Sequence, residues 1–233
     1  MTQRGLHGHL LDLLGLAITS GTIPGGRVLR IEELAAQHGV SRTVAREAVR
    51  VLEAMRLVRS RPKVGTTVRE STEWNVFDPQ VVRWRLAGTG RATQLRQLSQ
   101  VRAAVEPPAG WLAAREASEG QREELLTLAG ELAERASAGD VDGFVEVDVA
   151  FHRLVLTASG NDMFAHLGDF TAEVLRGRNR LHLMPEVPDA TATKRHLEAA
   201  MAIAESRSER AEKLLRQIVV GAAAEVEKLL GER

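Results

Sequence analysis

Apolar residues recur at helical spacing along most of the chain, and only two short stretches break that period. Leu6, Leu10, Leu13, Leu14 and Ala17 share one face and predict a first amphipathic helix that ends near Ser20. The run SGTIPGG then stops it, since Pro24 and the glycines interrupt any regular element. Val28 to Arg30 predicts a short strand. Ile31 to Met55 predicts a short helix, a turn at Gly39 and a second helix that opens at Ser41. Ser41 suits an N-cap, because its hydroxyl can accept a bond from a first-turn N–H. Gly39 suits the left-handed residue that ends the preceding helix. On the second helix Val44, Ala48, Val51, Leu52 and Met55 form one apolar face, while Arg42, Arg46 and Arg50 repeat every four residues on another. A short helix crossed by a second with a basic exposed face is the helix-turn-helix arrangement, whose second helix enters the DNA major groove. A solvated amphipathic helix in an ordinary bundle is the other reading of this stretch alone.

After Met55, β-branched residues flank a Pro62–Gly65 turn and predict a hairpin, which directly behind a helix-turn-helix is a wing. Arg59, Arg61 and Lys63 would carry charge toward the phosphate backbone or the minor groove. Glu70 to Val76 predicts a linker, and Phe77 to Leu86 a helix with Asp78 as N-cap and Pro79 at its first position. Beyond Arg91 no strand is predicted. Helical patterns cover Thr93 to Ala117 (bent or interrupted at Pro107–Pro108), Gln121 to Ala138, Val141 to Ser159, Met163 to Leu181, Thr193 to Glu205 and Glu209 to Leu230. Short polar separators between them predict antiparallel packing. The expected fold is mostly α: an N-terminal winged helix-turn-helix, three helices plus a β-hairpin wing, joined to an antiparallel α-helical bundle. The expected domains are 1–70 for DNA binding, 71–90 for a linker and connecting helix that serve as hinge, and 91–233 for effector binding and dimerisation. Trp74, Trp84 and Trp111 are expected as core or interface anchors.

Composition changes this picture at one point. Net charge is zero over 233 residues, which by itself argues against nucleic acid. The distribution reverses that: residues 1–70 hold eleven Lys or Arg against six acids, a net of +5, so the remainder carries −5. A basic segment joined to an acidic one is expected when only the first meets phosphate. There is no cysteine, so disulfides and thiolate metal sites are excluded. The N-terminal apolar run carries His9 and Asp12 and makes no signal peptide, and no apolar run approaches the ~18 residues that span a bilayer. The expected location is cytoplasmic, with no membrane partner.

Asp148 and His152 stand four apart on one helix, one turn apart on the same face, at the border of a stripe of Phe144, Val147, Phe151, Val155 and Ala158. A carboxylate and an imidazole at that spacing could grip zinc, nickel or manganese. A local hydrogen bond is the plainer reading of the pair. Arg102 and Glu106 are likewise four apart, which fits either an ion pair or an arginine left to clamp a ligand carboxylate.

With these positions in place, the N-terminal part resembles the winged-helix domain of the GntR regulator family. Gly21, Ile23, Pro24 and Gly25, then Leu34, Ala35, Gly39 to Thr43, Arg46 to Ala48, Leu52, Leu57, Val58 and Gly65 carry the likeness. In the FadR-like branch the residues matching Ser41, Arg42, Thr43 and Arg46 contact operator DNA, and the wing, here Lys63 and Gly65, enters the minor groove. Arg50, further from the helix N-terminus, is expected to touch phosphate. The branch often has arginine or serine where this chain has Ile31 and Glu32, and Arg30 is the expected substitute. The helical part is similar to the FCD domain of that branch, through Arg102, Glu106 and Pro107, then Asp148 and His152, then Ser159, Gly160 and Asn161, then His196, Ala202 and Ile203. The resemblance implies a divalent metal held by Asp148, His152 and His196, and an effector carboxylate held with Arg102 and Asn161. A third histidine is expected at the position of Ile218, which offers no ligand atom.

The function so implied is that of a homodimeric regulator, a repressor of a catabolic operon released from a palindromic operator on double-stranded DNA by a small carboxylate or sugar acid. The alternative is a metal-dependent enzyme with an appended nucleic-acid-binding domain. Against it, no base, nucleophile or phosphate-cradling loop accompanies the three candidate ligands.

Overall fold

The computed structural model describes residues 3–61, 65–183 and 190–231, which fold into two compact units, 1–91 and 92–233. The first unit opens with α1 (Gln3–Thr19), followed by β1 (Val28–Leu29), α2 (Ile31–His38), α3 (Arg42–Ala54), β2 (Val58–Arg61) and β3 (Gly65–Val68). The strands form one antiparallel sheet in the order β1-β3-β2, with Val58 opposite Val68 and Val28 opposite Thr67. The core joins Leu10, Leu14 and Ile18 of α1 to Ala45, Ala48 and Leu52 of α3, to Leu57 just before β2, and to Val58 and Val68 of the sheet. The winged helix is therefore three helices closed by a small sheet, as the periodicity predicts. The turn 62–64, with the expected wing-tip contact Lys63, lies outside the described residues.

The connecting segment differs from a free linker. A 3-10 turn at Ser71–Glu73 leads to α4 (Pro79–Ala87), which packs on α1 inside the first unit. Asp78 caps it by accepting from Gln80 N at 2.9 Å, and Trp84 Nε1 donates to Asp12 Oδ1 at 2.9 Å. Gly15 makes the approach possible, since a Cβ there would stand 2.5 Å from the Trp84 ring. Trp74 donates to Arg69 O, tying residues 69–74 together. The second unit begins directly behind Gly88–Arg91.

That second unit contains α5 (Arg91–Glu116), α6 (Glu119–Ser137), α7 (Val141–Ala158), α8 (Asp162–Ala165), α9 (Gly168–Arg180), α10 (Ala190–Ala204) and α11 (Ser208–Gly231). No strand occurs among its described residues. Helix α5 covers the expected Thr93–Ala117 span as one continuous element, so of a bend or an interruption at Pro107–Pro108 the interruption does not occur. Proline forfeits a backbone bond in a helix, but here Glu106, Pro107, Ala109 and Gly110 are all buried, and Gly110 lies under Leu215 of α11. Packing on both sides of the prolines holds the helix where local propensity would end it. The expected helix Met163–Leu181 is instead two, because the chain turns at His166–Leu167 and Arg153 Nε binds Gly168 O at the start of α9. The core of the unit is built from α5, α6, α7, α10 and α11 around Phe151, Leu125, Leu132 and Ile203. Among the described residues no helix is long and apolar enough to cross a membrane.

Candidate DNA-binding surface and buried metal and effector site

Helix α3 owes its start to Ser41, whose Oγ accepts from Val44 N at 3.2 Å, and its approach angle to Gly39, which sits at φ 62° and ends α2. Its apolar side is buried through Val44, Ala45, Ala48, Val49 and Leu52, which leaves Ser41, Arg42, Thr43, Arg46 and Arg50 exposed. Arg42 and Arg46 make no ion pair among the described residues. Arg50 is engaged by Glu47 at 2.6 Å and Arg30 by Glu33 at 3.0 Å. Free guanidinium groups near the start of α3 and paired ones further away suit base reading and backbone contact respectively. Glu53, not singled out by its sequence position, accepts from Ser60 N at 2.7 Å and so ties the wing to the end of α3. Gly65 opens β3 at φ 101°, where a side chain would be strained.

In the second unit α7 places Asp148 and His152 side by side, and α10 brings His196 against them. The three residues are buried, and their ligand atoms lie within 4.8 Å of one another. Asp148 Oδ1 is 3.4 Å from His152 Nε2 and 3.1 Å from His196 Nε2. The His196 ring is anchored from its opposite edge, with Nδ1 2.7 Å from Ala192 O, and His152 Nδ1 lies at ion-pair distance, 2.7 Å, from Glu106 Oε2. A proton on His196 Nδ1 serves Ala192 O and turns the Nε2 lone pair toward Asp148. Asp148 Oδ1 and His196 Nε2 are buried without a hydrogen-bond partner. Two electron-rich atoms so close need a proton or a cation between them, so the orphaned atoms fit a divalent ion. Two imidazoles and one carboxylate suit zinc, nickel or manganese and leave coordination positions open.

Without an ion, protons compete for the same carboxylates. Burial alone would push the Asp148 carboxyl upward, but His152 and His196 outweigh it and hold it well below the usual range. Burial would lower His152, yet Glu106 and Asp148 raise it to about 9. The cluster thus draws positive charge toward its carboxylates.

Arg102 and Glu106 form a buried bidentate pair, Nε to Oε1 at 2.6 Å and Nη2 to Oε2 at 3.2 Å, with Nη2 3.3 Å from His152 Nε2. Removing one partner of such a pair strands a charge and costs about 3–5 kcal/mol. Arg102 therefore lines the cavity with much of its fork already engaged. The cavity measures about 60 Å³ and is bounded by Arg102, the three candidate ligands and Ile218. Ile218 is among the lining residues and 7% exposed, so the expected third-histidine position borders the cavity with an apolar side chain. Asn161 does not join it. It is not among the residues that line the cavity, and its Oδ1 accepts from Met163 N at 2.9 Å and caps α8. Three charged lining residues, Arg178, Arg195 and Glu225, escape sequence reading. They come from three helices at no diagnostic spacing, so only the tertiary fold brings them together.

A winged helix with free arginines at the head of its recognition helix, coupled to a helical bundle that encloses a charged cavity, defines a ligand-responsive DNA-binding transcriptional regulator. Residues 7–68 match the bacterial regulatory proteins of the gntR family, and residues 97–221 match the FCD domain. The chain belongs to the gntR family of transcriptional regulators and carries an FCD domain as its helical unit. Family membership sets aside the enzyme alternative.

The chain is 33% identical over 160 residues to the uncharacterized HTH-type transcriptional regulator YieP of Escherichia coli K12, covering 68% of this chain and 70% of that protein. It is 29% identical over 155 residues to the galactonate operon transcriptional repressor of the same organism, covering 66% and 67% of the two chains. A probable D-xylose utilization operon transcriptional repressor of Paenarthrobacter nicotinovorans is 32% identical over 161 residues, covering 69% and 62%. Among solved structures, the Listeria monocytogenes regulator Lar superposes with a TM-score of 0.64 at 17% identity, covering 96% of this chain and 97% of that one. A Streptococcus agalactiae GntR protein gives 0.52 at 22% identity, with 94% and 99% covered. Both share the fold.

Proposed function

We propose that this regulator acts in the cytoplasm as a homodimer on a short palindromic operator, represses a catabolic operon, and leaves the DNA when a small carboxylate or sugar acid enters the cavity of the FCD domain. The carrying observation is the cavity itself, where Asp148, His152 and His196 converge beside Arg102. A divalent ion held by those three ligands would supply a Lewis-acid centre for an effector oxygen. The names of the galactonate and D-xylose repressors support the catabolic assignment. Ser41, Arg42, Thr43 and Arg46 are the proposed base readers, and Arg30, Arg50, Lys63 and Gly65 the proposed backbone and wing contacts. Two-fold symmetry in the protein would be mirrored in the operator.

For the effector to act, it must favour one disposition of the DNA-binding units over another. A difference of about 1–3 kcal/mol changes operator affinity about 5- to 150-fold. The segment Gly88–Arg91, at the boundary between units, is the proposed hinge, because residues 79–87 are already packed on α1.

The test is fluorescence anisotropy with DNA from the promoter region around the regulator's own gene. Specific binding that dissociates on addition of a small acid supports the reading, and equal affinity for random DNA overturns it.

A further inference from the structure

The cavity holds a second group of polar side chains, separate from the candidate metal ligands. Arg178 on α9 is 4% exposed, and its Nε is buried with no hydrogen-bond partner. Its Nη2 reaches Glu225 Oε2 on α11 at 3.3 Å, longer than the ~2.7–2.9 Å of a well-formed charge-assisted bond. The charges of Arg102 and Asp148 also act on it. Arg195 on α10 lines the same cavity and makes no ion pair among the described residues. Gly221 leaves it room, since a Cβ there would lie 3.3 Å from Arg195 Nη1. Among the described lining residues, Arg178 and Arg195 thus have one loosely held carboxylate beside them on the side away from the triad, and that carboxylate, Glu225, belongs to the protein.

Charge balance identifies what would replace it. Arg102, Arg178 and Arg195 face Glu106, Asp148 and Glu225, and an imidazole that ligates a metal is neutral, so in the metal-bound state the described side chains around the cavity carry no net charge. A divalent ion on Asp148, His152 and His196 adds two positive charges. A monoanion would leave one of these uncompensated beside buried side chains, and a dianion leaves none.

Resting on the effector reading above, we propose that Arg178 and Arg195 form a second anion subsite and that the effector is a short dicarboxylate. One of its carboxylates meets the ion held by the triad. The other takes the place of Glu225 on Arg178 and adds Arg195, satisfying the Nε that Glu225 leaves unpaired. A carboxylate is favoured over a phosphate because the group now seated on Arg178 is itself a carboxylate. A cavity of about 60 Å³ also favours a compact diacid over a long polyol acid. Displacing Glu225 would act on α11, and so give ligand entry a mechanical consequence.

The experiment is calorimetric titration of the full-length protein, zinc-loaded and zinc-free, with malonate and succinate against acetate, lactate and gluconate, and with phosphoglycolate as the phosphate arm. The expected result for zinc-loaded protein is a preference of about tenfold or more, ~1.4 kcal/mol, for a diacid over the monoacids. Arg195→Ala, at a half-buried position, narrows that preference. Glu225→Gln, which removes the competing charge and keeps the shape, widens it. If monoacids bind and diacids bind no better, or if neither variant changes the ratio, the second subsite is overturned while the effector cavity stands. Tighter binding of phosphoglycolate than of either diacid overturns the dicarboxylate assignment. If no acid binds in either metal state, the effector reading itself fails.

Discussion

His196 Nε2 and Asp148 Oδ1 lie 3.1 Å apart, and neither atom has a hydrogen-bond partner. The His196 ring is fixed from its other side, Nδ1 to Ala192 O at 2.7 Å, so its orientation does not depend on Asp148. Backbone anchoring of one ring nitrogen with the other presented to a carboxylate is the arrangement of a metal-ligating histidine. Protein dialysed against buffer with trace zinc should retain close to one ion per chain by elemental analysis, and His196→Ala should retain about 10- to 100-fold less affinity at minimum, as loss of supporting groups alone causes. Unchanged metal content in the variant would remove His196 from the ligand set.

On the DNA side, the contrast between Arg46 and Arg50 is the useful one. Arg46 is exposed and free of ion pairs among the described residues, whereas Arg50 is held by Glu47. Arg46→Ala should weaken binding to the operator by about 1–3 kcal/mol and relax its sequence preference, as expected for a base reader. Arg50→Ala should weaken operator and random DNA alike and lower the salt dependence of both. Anisotropy on the two DNAs at several salt concentrations separates these outcomes. An Arg46→Ala protein with wild-type preference would exclude the residue as a reader.

How much of this was legible in the sequence varies with the range of the interaction involved. Ser41 as N-cap, Gly39 as a left-handed terminus and Asp78 before Pro79 are local features, and each occurs where the residue types put it. The face of α3 follows from periodicity, although Ala45 and Val49 belong to the buried side as well. Asp148 and His152 could be paired by spacing alone, and His196 joined them only through the family likeness. Periodicity places α5 but leaves open whether it breaks at Pro107–Pro108, because local propensity does not contain the packing that keeps the helix continuous. Asn161 invited a ligand role by its place in a motif, yet its side chain closes a helix turn. Arg178, Arg195 and Glu225 left no sequence signal, since their meeting depends on how α9, α10 and α11 converge.

Gly15 is a place where an ordinary expectation reverses. Replacing a mid-helix glycine by alanine usually stabilises a helix by roughly 0.5–1 kcal/mol. Here the new Cβ would stand 2.5 Å from three ring carbons of Trp84, a rigid group whose Nε1 is held by Asp12. The strain of overpacking, typically about 1–3 kcal/mol, should outweigh the helix gain. Gly15→Ala is therefore expected to lower the denaturation midpoint and to blue-shift or red-shift tryptophan emission as α4 is pushed from α1. A melting temperature at or above wild type would show that α4 yields freely.

Ile218 offers the inverse test of the buried site, by addition rather than loss. It is 7% exposed and borders the same cavity as Asp148, His152 and His196. An imidazole there would bring a fourth protein donor to a set that otherwise leaves open positions, and four-coordinate sites are the closed, tightly held kind. Ile218→His should therefore tighten zinc binding by about tenfold or more, read by competition with a chromogenic chelator. The same substitution occupies a position that an effector oxygen would otherwise take. Ligand-induced release from the operator should consequently weaken in the zinc-loaded variant even as the metal is held harder. Tighter zinc with undiminished effector response would mean that the effector does not reach the ion. Unchanged zinc affinity, in a variant that melts normally, would mean that position 218 does not look onto the metal at all.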